Sequence, residues 1–294
     1  MTATIAETRP APATTDRLIN AAHEQIFDAY QNPPAQFSPV PMWFWNDDLD
    51  TGEIQRQVLS FHQSEVDAFV IHPRMGLPRR IPYLSDTYLD YVVCAVETAA
   101  QYGMTVFLYD EAMYPSGSAH GLVVAANPAY AAQALVRVAQ PMGNSITGLP
   151  GRLVHRMTAA DSSGQAVDLL FVQTGSGGKI RGVHFGEDDN QPDAPQAADL
   201  MNPEAMACFI RLTYDRYYQR LAPWFGTTIQ AFFTDEPSLL GRGNMKGKIP
   251  WTDGLLEQWT VEGRTAEDLN ALFPESPAYN PDRARQFKRL CLQR

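Results

Sequence analysis

The chain has 294 residues, of which 45% are hydrophobic, and its 33 acidic against 23 basic residues give a formal net charge of −10 at pH 7. This composition is typical of a globular protein with room for one large domain or two small ones, not of a disordered chain. The negative charge argues against nucleic acid and anionic membrane surfaces as partners and favours a neutral substrate.

The cysteines and the N-terminus bear on the compartment. Cys94, Cys208 and Cys291 are far apart and odd in number, so we expect reduced thiols and neither a disulfide framework nor a metal knuckle. The first 15 residues lack the basic and apolar regions of a signal peptide, and no apolar run reaches membrane-spanning length. We therefore expect a cytoplasmic protein without a membrane partner.

The first elements alternate between strand and helix. They are, in chain order, a helix at 16–30 within a flexible leader at 1–37, a strand at 40–45, a helix at 52–65, a strand at 68–71, a helix at 85–102 and a strand at 104–109. The assignments rest on apolar periodicity and on capping residues such as Ser85 and Gly103. Strands that alternate with helices predict a parallel sheet.

After residue 127 the pattern changes to short β-like segments separated by Gly, Ser and Asn, which indicates an antiparallel insertion. The predicted strands lie at 133–140, 151–157, 166–172 and 180–185. The glycine-rich stretch at 175–178 lacks the lysine and the following helix of a phosphate loop, so we expect a hairpin turn there.

The last part returns to helices and one strand. Asn202, Pro203 and Glu204 are typical of a helix start, and this helix is expected to reach about Trp224 and to lead into a strand at 228–234. Only polar helices are expected afterwards, at 253–261, 265–272 and 281–293. The predicted division is a leader (1–37), first strand–helix units (38–132), a β-rich insertion (133–197) and a further unit with a helical tail (198–294).

Two of the predicted parallel strands run directly into pairs of acids. Asp110-Glu111 follows one strand and Asp235-Glu236 follows another. Parallel α/β barrels build their active sites at the carboxyl ends of their strands. Glycosidic hydrolysis needs one carboxylic acid to protonate the leaving oxygen and a second carboxylate to activate water or attack carbon. We therefore predict Glu236 and Glu111 as catalytic residues, with Glu236 as the general acid.

Structural alternatives stay open for both acid pairs. Asp235 or Glu236 could cap the following turn or pair with Arg242, and Asp110-Glu111 could organise the loop at 114–117. Their oxygens could also bind Ca²⁺, which prefers carboxylate and carbonyl ligands. The sequence has neither an EF-hand spacing nor an HExxH motif, so it names no specific metal ligands.

Other polar and aromatic residues follow the same strand ends. An aromatic ring can stack on the apolar face of a sugar, while amide, imidazole and guanidinium groups bind its hydroxyls. The predicted substrate-binding residues are Trp45, Asn46, His72, Arg74, Asp110, Tyr114 and Asp235. Trp43 and Trp45 share one strand face and could instead be core residues, and His72 could be a structural hydrogen bonder.

Four further histidines show no ligand spacing in the sequence. His62, His120, His155 and His184 are scattered along the chain, and we expect them to be surface or structural residues.

Four motifs in order resemble glycoside hydrolase family 106, the α-L-rhamnosidases, over about residues 38–275. The motifs are Pro-Met-Trp-Phe-Trp-Asn at 41–46, Ile-His-Pro-Arg-Met-Gly-Leu at 71–77, Leu-Tyr-Asp-Glu at 108–111 with Tyr-Pro-Ser-Gly at 114–117, and Phe-Thr-Asp-Glu-Pro at 233–237. The resemblance implies a (β/α)8 TIM-barrel catalytic domain, inversion by two glutamates and a calcium ion near the sugar. Glu236 matches an active-site acid of the family.

Members of that family are usually longer and often secreted, so the resemblance implies that this chain holds only the N-terminal part of the barrel. The resemblance leaves open whether the second catalytic glutamate is Glu111 or lies outside this chain, and the oligomeric state also stays open. Two other functions compete with a glycosidase. One is a carbohydrate-binding remnant without turnover, and the other is a barrel hydrolase that holds a divalent ion through Asp110, Glu111, Asp235 and Glu236.

Overall fold

The computed structural model describes residues 23–31, 33, 37–161, 163–189 and 191–294. Residues 23–31 are helical, as the leader helix predicts, whereas 16–22 lie outside the described residues. The remaining elements are β1 (Met42–Trp45), α1 (Thr51–Gln63), β2 (Ala68–Pro73), α2 (Asp86–Gln101), β3 (Thr105–Tyr109), α3 (Leu122–Ala126), β4 (Gln133–Pro141), β5 (Arg152–Ala160), β6 (Ala166–Gly175), α4 (Pro203–Leu212), α5 (Tyr214–Leu221), β7 (Ile229–Phe233), β8 (Lys248–Trp251), α6 (Leu255–Val261) and α7 (Pro281–Leu292), with short 3-10 helices at Pro128–Tyr130, Ala222–Trp224 and Ala266–Leu272.

The first sheet is parallel, as the alternating pattern predicts. Its four strands lie in the order β1-β2-β3-β7, and every neighbouring pair is parallel. All four strands were expected from their apolar runs. The chain is therefore a mixed α/β protein, and the carboxyl ends of these strands meet at one edge of the sheet.

The helices α1 to α5 pack on one face of the parallel sheet. Asp50 caps the N-terminus of α1, because its side chain accepts a hydrogen bond from the Glu53 N–H. Ser85 caps α2 in the same way by accepting from the Tyr88 N–H. Their apolar sides cover the sheet residues of the main core, which are Trp43, Trp45, Phe69, Ile71, Val106, Leu108 and Ile229. The opposite face of β1 carries Met42 and Phe44, and both are exposed.

The predicted helix from 203 to 224 is interrupted. Asn202 accepts hydrogen bonds from two backbone N–H groups at its start, as expected, but α4 ends at Leu212. Thr213 has a distorted right-handed helical backbone, with φ −108° and ψ −74°, and α5 continues from Tyr214. The sequence shows neither glycine nor proline at this break, so the capping rules give no warning of it.

The second sheet is antiparallel, with the order β5-β6-β4-β8. The insertion strands β4, β5 and β6 confirm three of the four predicted segments. The expectation of no strand in the tail was wrong, because β8 pairs antiparallel with the first half of β4. The core of this half lies between the sheet and the last helices, with Trp251, Trp259 and Phe287 fully or almost fully buried.

Two further local predictions were wrong. The segment 180–185 forms no strand, and its neighbour Lys179 makes only isolated bridges to Gln196 and Arg242. The stretch 175–178 is not a hairpin turn, because the chain leaves β6 there and passes to the edge of the parallel sheet, where the Ser176 hydroxyl donates to the Leu240 carbonyl. Among the helices that the structure describes, none is long and apolar enough to cross a membrane.

Candidate functional site

The loops after the parallel strands form a continuous rim. Gly76, after β2, has φ +120°, and a Cβ atom there would lie 2.1 Å from the carbonyl oxygen of Asn46, after β1. Its N–H donates to the Val183 carbonyl at 2.9 Å, so the segment that follows β6 also packs on this rim. A residue without a side chain is required where the two loops touch.

Asp110 is fully buried after the end of β3 and holds its own loop, the loop after β7 and the start of α5 together. One carboxylate oxygen accepts from the Ser116 hydroxyl at 2.6 Å, and the other accepts from the Thr234 hydroxyl at 2.6 Å and the Tyr214 hydroxyl at 2.8 Å. The Ser116 hydroxyl also accepts from the Asp235 N–H at 2.9 Å. The two predicted acid pairs are therefore brought together by Ser116.

Glu111 is also fully buried, and its carboxylate organises a loop. It accepts four backbone N–H bonds, from Ala112, Ser118, Ala119 and His120. Burial raises the pKa of Glu111, and the N–H donors oppose that shift. A protonated carboxyl group would need an acceptor for its O–H, but the groups around both oxygens are N–H donors. We therefore assign the ionised form to Glu111. The structure therefore supports the loop-organising alternative for Glu111.

Asp235 and His72 both lie against Tyr109. The Tyr109 hydroxyl donates to Asp235 Oδ2 at 2.5 Å, and the His72 ring stacks on the Tyr109 ring with centroids 3.9 Å apart. His72 is 1% exposed, and its Nδ1 lies 2.7 Å from the Pro73 carbonyl. Burial lowers the pKa of His72 to about 4, so the ring is neutral at pH 7. His72 is thus a buried element of the rim.

Glu236 is the predicted acid that faces solvent. It is exposed, has φ +41°, and makes neither an ion pair nor a side-chain hydrogen bond with any residue that the structure describes. Its side chain lines an open cleft of about 390 Å³ with Tyr114, Pro115, Ser238, Gly241, Arg242 and Gly243. Neither Phe232 nor Phe233 lines this cleft, since Phe232 packs on Tyr214 and Phe233 on Tyr109.

Tyr114 forms one wall of this cleft between two arginines. The Arg181 guanidinium donates to the Tyr114 hydroxyl at 2.8 Å, and the Arg242 guanidinium carbon lies 4.9 Å from the ring centroid. Arg242 pairs with Asp189 and not with Glu236, so that alternative for Glu236 is not observed. Hydrogen bonds from Arg242 and Arg181 lower the pKa of Asp189 to about 2. The guanidinium groups of Arg181 and Arg242 are therefore fixed beside Tyr114, and Asp188 and Asp189 balance their charges.

The residues after β1 and β2 are placed differently from the prediction. Trp45 is 2% exposed and packs edge-on against Trp43 and Tyr88 in the core, so its ring does not reach the rim. Phe44, on the other strand face, is exposed, and the Arg74 guanidinium lies 4.4 Å above its ring. Asn46 is exposed at the rim. Phe44, and not Trp45, is therefore the aromatic side chain of β1 that is exposed at this edge.

Segment 180–189 contributes residues that the sequence patterns did not predict as part of the site. Arg181 and Asp189 do not line the cleft, but they hold the side chains of Tyr114 and Arg242 that do, because this segment packs on the loops after β2 and β3. His184 and Glu187, from the same segment, lie beside His120, so histidines expected to be scattered come together. The spacing His-x-x-Glu at 184–187 was the available signal.

Comparison with protein-family models, with curated proteins and with solved structures finds no match to this chain. The functional conclusion therefore rests on the geometry of the rim and on the motifs that the sequence carries.

Proposed function

We propose that this protein is a glycoside hydrolase acting on α-L-rhamnosides or related glycosides, with Glu236 as the general acid. The observation that carries the proposal is the exposed Glu236 carboxylate in an open cleft, beside an aromatic and a cationic side chain. Sugar sites commonly combine an acid with aromatic and hydrogen-bonding groups. The motif order that resembles family 106 supports the same class of reaction.

In this proposal Glu236 gives its proton to the glycosidic oxygen as the bond to the anomeric carbon breaks. The second carboxylate is Asp235, because Oδ1 of Asp235 makes no hydrogen bond with the described residues, whereas Oδ2 is held by Tyr109. Asp235 then accepts a proton from the attacking water. Glu111 is a positioning residue, since its oxygens are occupied by loop N–H groups.

The remaining predicted binding residues would hold the sugar around this pair. Tyr114 and Arg242 line the cleft beside Glu236, and Arg74 with Phe44 lies at the end of β1 and β2. Guanidinium groups donate to sugar hydroxyls, and the Phe44 ring offers an apolar surface to sugar C–H groups. Asn46 adds a donor and an acceptor at the same edge.

We also propose that the parallel sheet belongs to a (β/α)8-type barrel. Its helices pack on one face, while on the opposite face Met42 and Phe44 of β1 are exposed and their neighbours Val70 and His72 of β2 are buried. This is the arrangement of a barrel wall, whose inner face is filled by side chains from the other strands. The acids at the carboxyl ends of β3 and β7 agree with the position of barrel active sites.

One observation favours a second function, sugar binding without turnover. Both oxygens of Glu111 accept hydrogen bonds from backbone N–H groups. Glu111, one of the two predicted catalytic carboxylates, is therefore not free to contact a substrate. The third alternative, a hydrolase with a metal held by both acid pairs, loses support for the same reason. Hydroxyl and N–H donors occupy the oxygens of Asp110 and Glu111 that a cation would need.

The test compares wild type, Glu236→Gln and Glu97→Gln on an α-L-rhamnosyl disaccharide, whose alcohol leaving group needs a proton, with release of rhamnose as the readout and L-rhamnose binding measured by calorimetry. Glu97 is an exposed glutamate on α2 and serves as the matched control. We expect Glu236→Gln to lose at least about 100-fold in kcat, as the loss of a general acid predicts. Binding without turnover by wild type would favour the second function, and neither binding nor turnover would refute both.

A further inference from the structure

A second group of polar side chains lies on the same rim, away from Glu236. His120 Nε2 lies 2.8 Å from Glu187 Oε2, and the His120 and His184 rings pack edge to face with centroids 5.3 Å apart. Each of the three residues offers a ligand atom, and these atoms lie within 4.8 Å of one another. Glu187 and His184 are buried, and His120 is half-buried.

The hydrogen bonds around this group fix the tautomer of His184. Its Nδ1 lies 2.7 Å from the Leu77 carbonyl oxygen, and because a carbonyl can only accept, Nδ1 carries the proton. Nε2 of His184 therefore carries no proton and has a free lone pair. It makes no hydrogen bond within the described residues. An imidazole whose far nitrogen donates to a backbone carbonyl is the usual arrangement of a metal-binding histidine.

The backbone also shapes the group. A Cβ atom at Gly182 would lie 2.2 Å from Glu187 Oε2, so only glycine lets this carboxylate lie where it does. The His184 N–H donates to the same oxygen at 3.0 Å. Arg79 contacts the other oxygen, Oε1, at 3.1 Å and leaves Oε2 directed at the histidines.

His120 is held in place by the carboxylate of Glu111. Ala119 and His120 have φ of +48° and +55°, a left-handed conformation that non-glycine residues rarely adopt. The Ala119 and His120 N–H groups both donate to Glu111, which stabilises this strained turn. Backbone strain of this kind persists where the surroundings over-determine it, and it clusters at ligand sites.

The group is reached from solvent through its own cleft. His120 and Glu187 line an open depression of about 450 Å³, whose wall also carries Asp193. An ion bound between His120, His184 and Glu187 would have one side open to this cleft. Three protein ligands with an open position are typical of reactive zinc sites, whereas structural zinc sites are closed by four.

We propose that Nε2 of His120, Nε2 of His184 and Oε2 of Glu187 bind a divalent transition-metal ion of the Zn²⁺ type. Two imidazoles and one carboxylate suit such ions better than Ca²⁺ or Mg²⁺, which take oxygen ligands. With bonds of about 2.1 Å, the ligand atoms would lie within roughly 4 Å of one another, so the side chains draw together slightly on binding. The ion replaces the proton between His120 and Glu187. This site goes beyond the proposed hydrolase and does not depend on it.

The experiment is Zn²⁺ titration of the full chain by calorimetry, after treatment with EDTA and removal of the chelator. We expect one Zn²⁺ per chain for wild type, and at least about tenfold weaker binding for His120→Asn and His184→Gln, because each removes a ligand. Asparagine tolerates the left-handed backbone at position 120. His62→Asn is the matched control, since His62 is exposed on α1, and it should bind Zn²⁺ like wild type.

Replacement of Zn²⁺ by Co²⁺ gives a second readout, the visible absorption spectrum. Nitrogen and oxygen ligands give weak visible bands without the strong near-ultraviolet bands of thiolate ligands. His120→Asn, whose parent side chain is partly exposed, carries the test should His184→Gln fail to fold. Failure of wild type to take up one equivalent, thiolate bands in the Co²⁺ spectrum, or unchanged affinity in His120→Asn would overturn the proposal.

Discussion

The Tyr109 hydroxyl donates to Asp235 Oδ2 at 2.5 Å, which joins the last residue of β3 to the loop after β7. Burial and this hydrogen bond raise the pKa of Tyr109, so the hydroxyl keeps its proton and remains a donor. The Asp235 carbonyl also accepts from the Ser116 N–H at 2.9 Å. The loop that carries Glu236 is therefore anchored at Asp235 from two sides.

Tyr109→Phe should destabilise the protein through this contact alone, because the ring and its stacking on His72 are retained. We expect the free energy of unfolding to fall by about 1–3 kcal/mol, the range for a hydrogen bond to a charged group. Urea denaturation measures the change. Tyr102→Phe, at an exposed tyrosine after α2, is the control and should change stability by less than about 0.5 kcal/mol. Equal effects of the two variants would contradict the role of the bond.

Glu111→Gln should cost more. The amide keeps one acceptor oxygen but turns an NH₂ group toward backbone N–H donors that are buried beside it. We expect a loss of at least about 3 kcal/mol in the free energy of unfolding, as when one partner of a buried charged group is removed. Glu97→Gln, measured in the same urea titration, should be close to wild type. A Glu111→Gln protein as stable as the control would show that the loop does not need this carboxylate.

Stability should depend on pH through His72. Its pKa is lowered to about 4 from 6.5 by burial, with Arg74 adding to the shift and the Pro73 carbonyl and Asp235 opposing it. The unfolded chain therefore binds a proton between pH 6.5 and 4 that the folded chain does not. The free energy of unfolding then falls as the pH is lowered through this window, by up to about 3 kcal/mol for a shift of this size.

The matched comparison for this pH effect is His72→Leu with His62→Asn. His72→Leu removes the buried titrating group, so its stability should fall less steeply than that of wild type between pH 6.5 and 4. His62 is exposed, and its replacement should leave the slope unchanged. Parallel curves for wild type and His72→Leu would show that His72 is not the source of the pH dependence.

Gly76→Ala should disturb the rim where two loops touch. The added Cβ would lie 2.1 Å from the Asn46 carbonyl oxygen, and the backbone φ of +120° is itself strained for alanine. We expect a loss of at least about 2 kcal/mol, from steric overlap and strain together. Gly103→Ala separates the two effects, because φ is +67° but nothing lies within 4 Å of the added atom. If Gly76→Ala and Gly103→Ala lost the same amount of stability in thermal or urea unfolding, the overlap with the Asn46 carbonyl would not be the cause of the effect at Gly76.

Sequence patterns predicted much of the fold. The strands β1, β2, β3 and β7 were recognisable because they are apolar runs that end in turn-forming or acidic residues. β8 could not be recognised, since its four residues include Pro250 and become a strand only by pairing with β4. The segment 180–185 alternates like a strand, but its side chains are used individually, as in the contact of Arg181 with Tyr114.

The candidate site was predicted less completely than the fold. Strand ends located Asp110, Asp235 and Glu236 on the rim, because parallel strands bring their carboxyl ends to one edge. The role of Glu111 depends on a loop with two left-handed residues, which no local pattern indicates. The proximity of His120 to Glu187 joins positions 67 residues apart, and only tertiary packing brings them together.

The pairing of β8 with β4, and of β7 with β3, also determines when each sheet can form during translation. β4 leaves the ribosome well before β8, at residues 248–251, and β3 waits likewise for β7, at residues 229–233. At about 5–20 residues per second, several seconds pass during which β3 and β4 are the edge strands of their sheets, a place that β7 and β8 take in the finished fold. A nascent chain stalled before residue 229 would therefore be the form most in need of a chaperone.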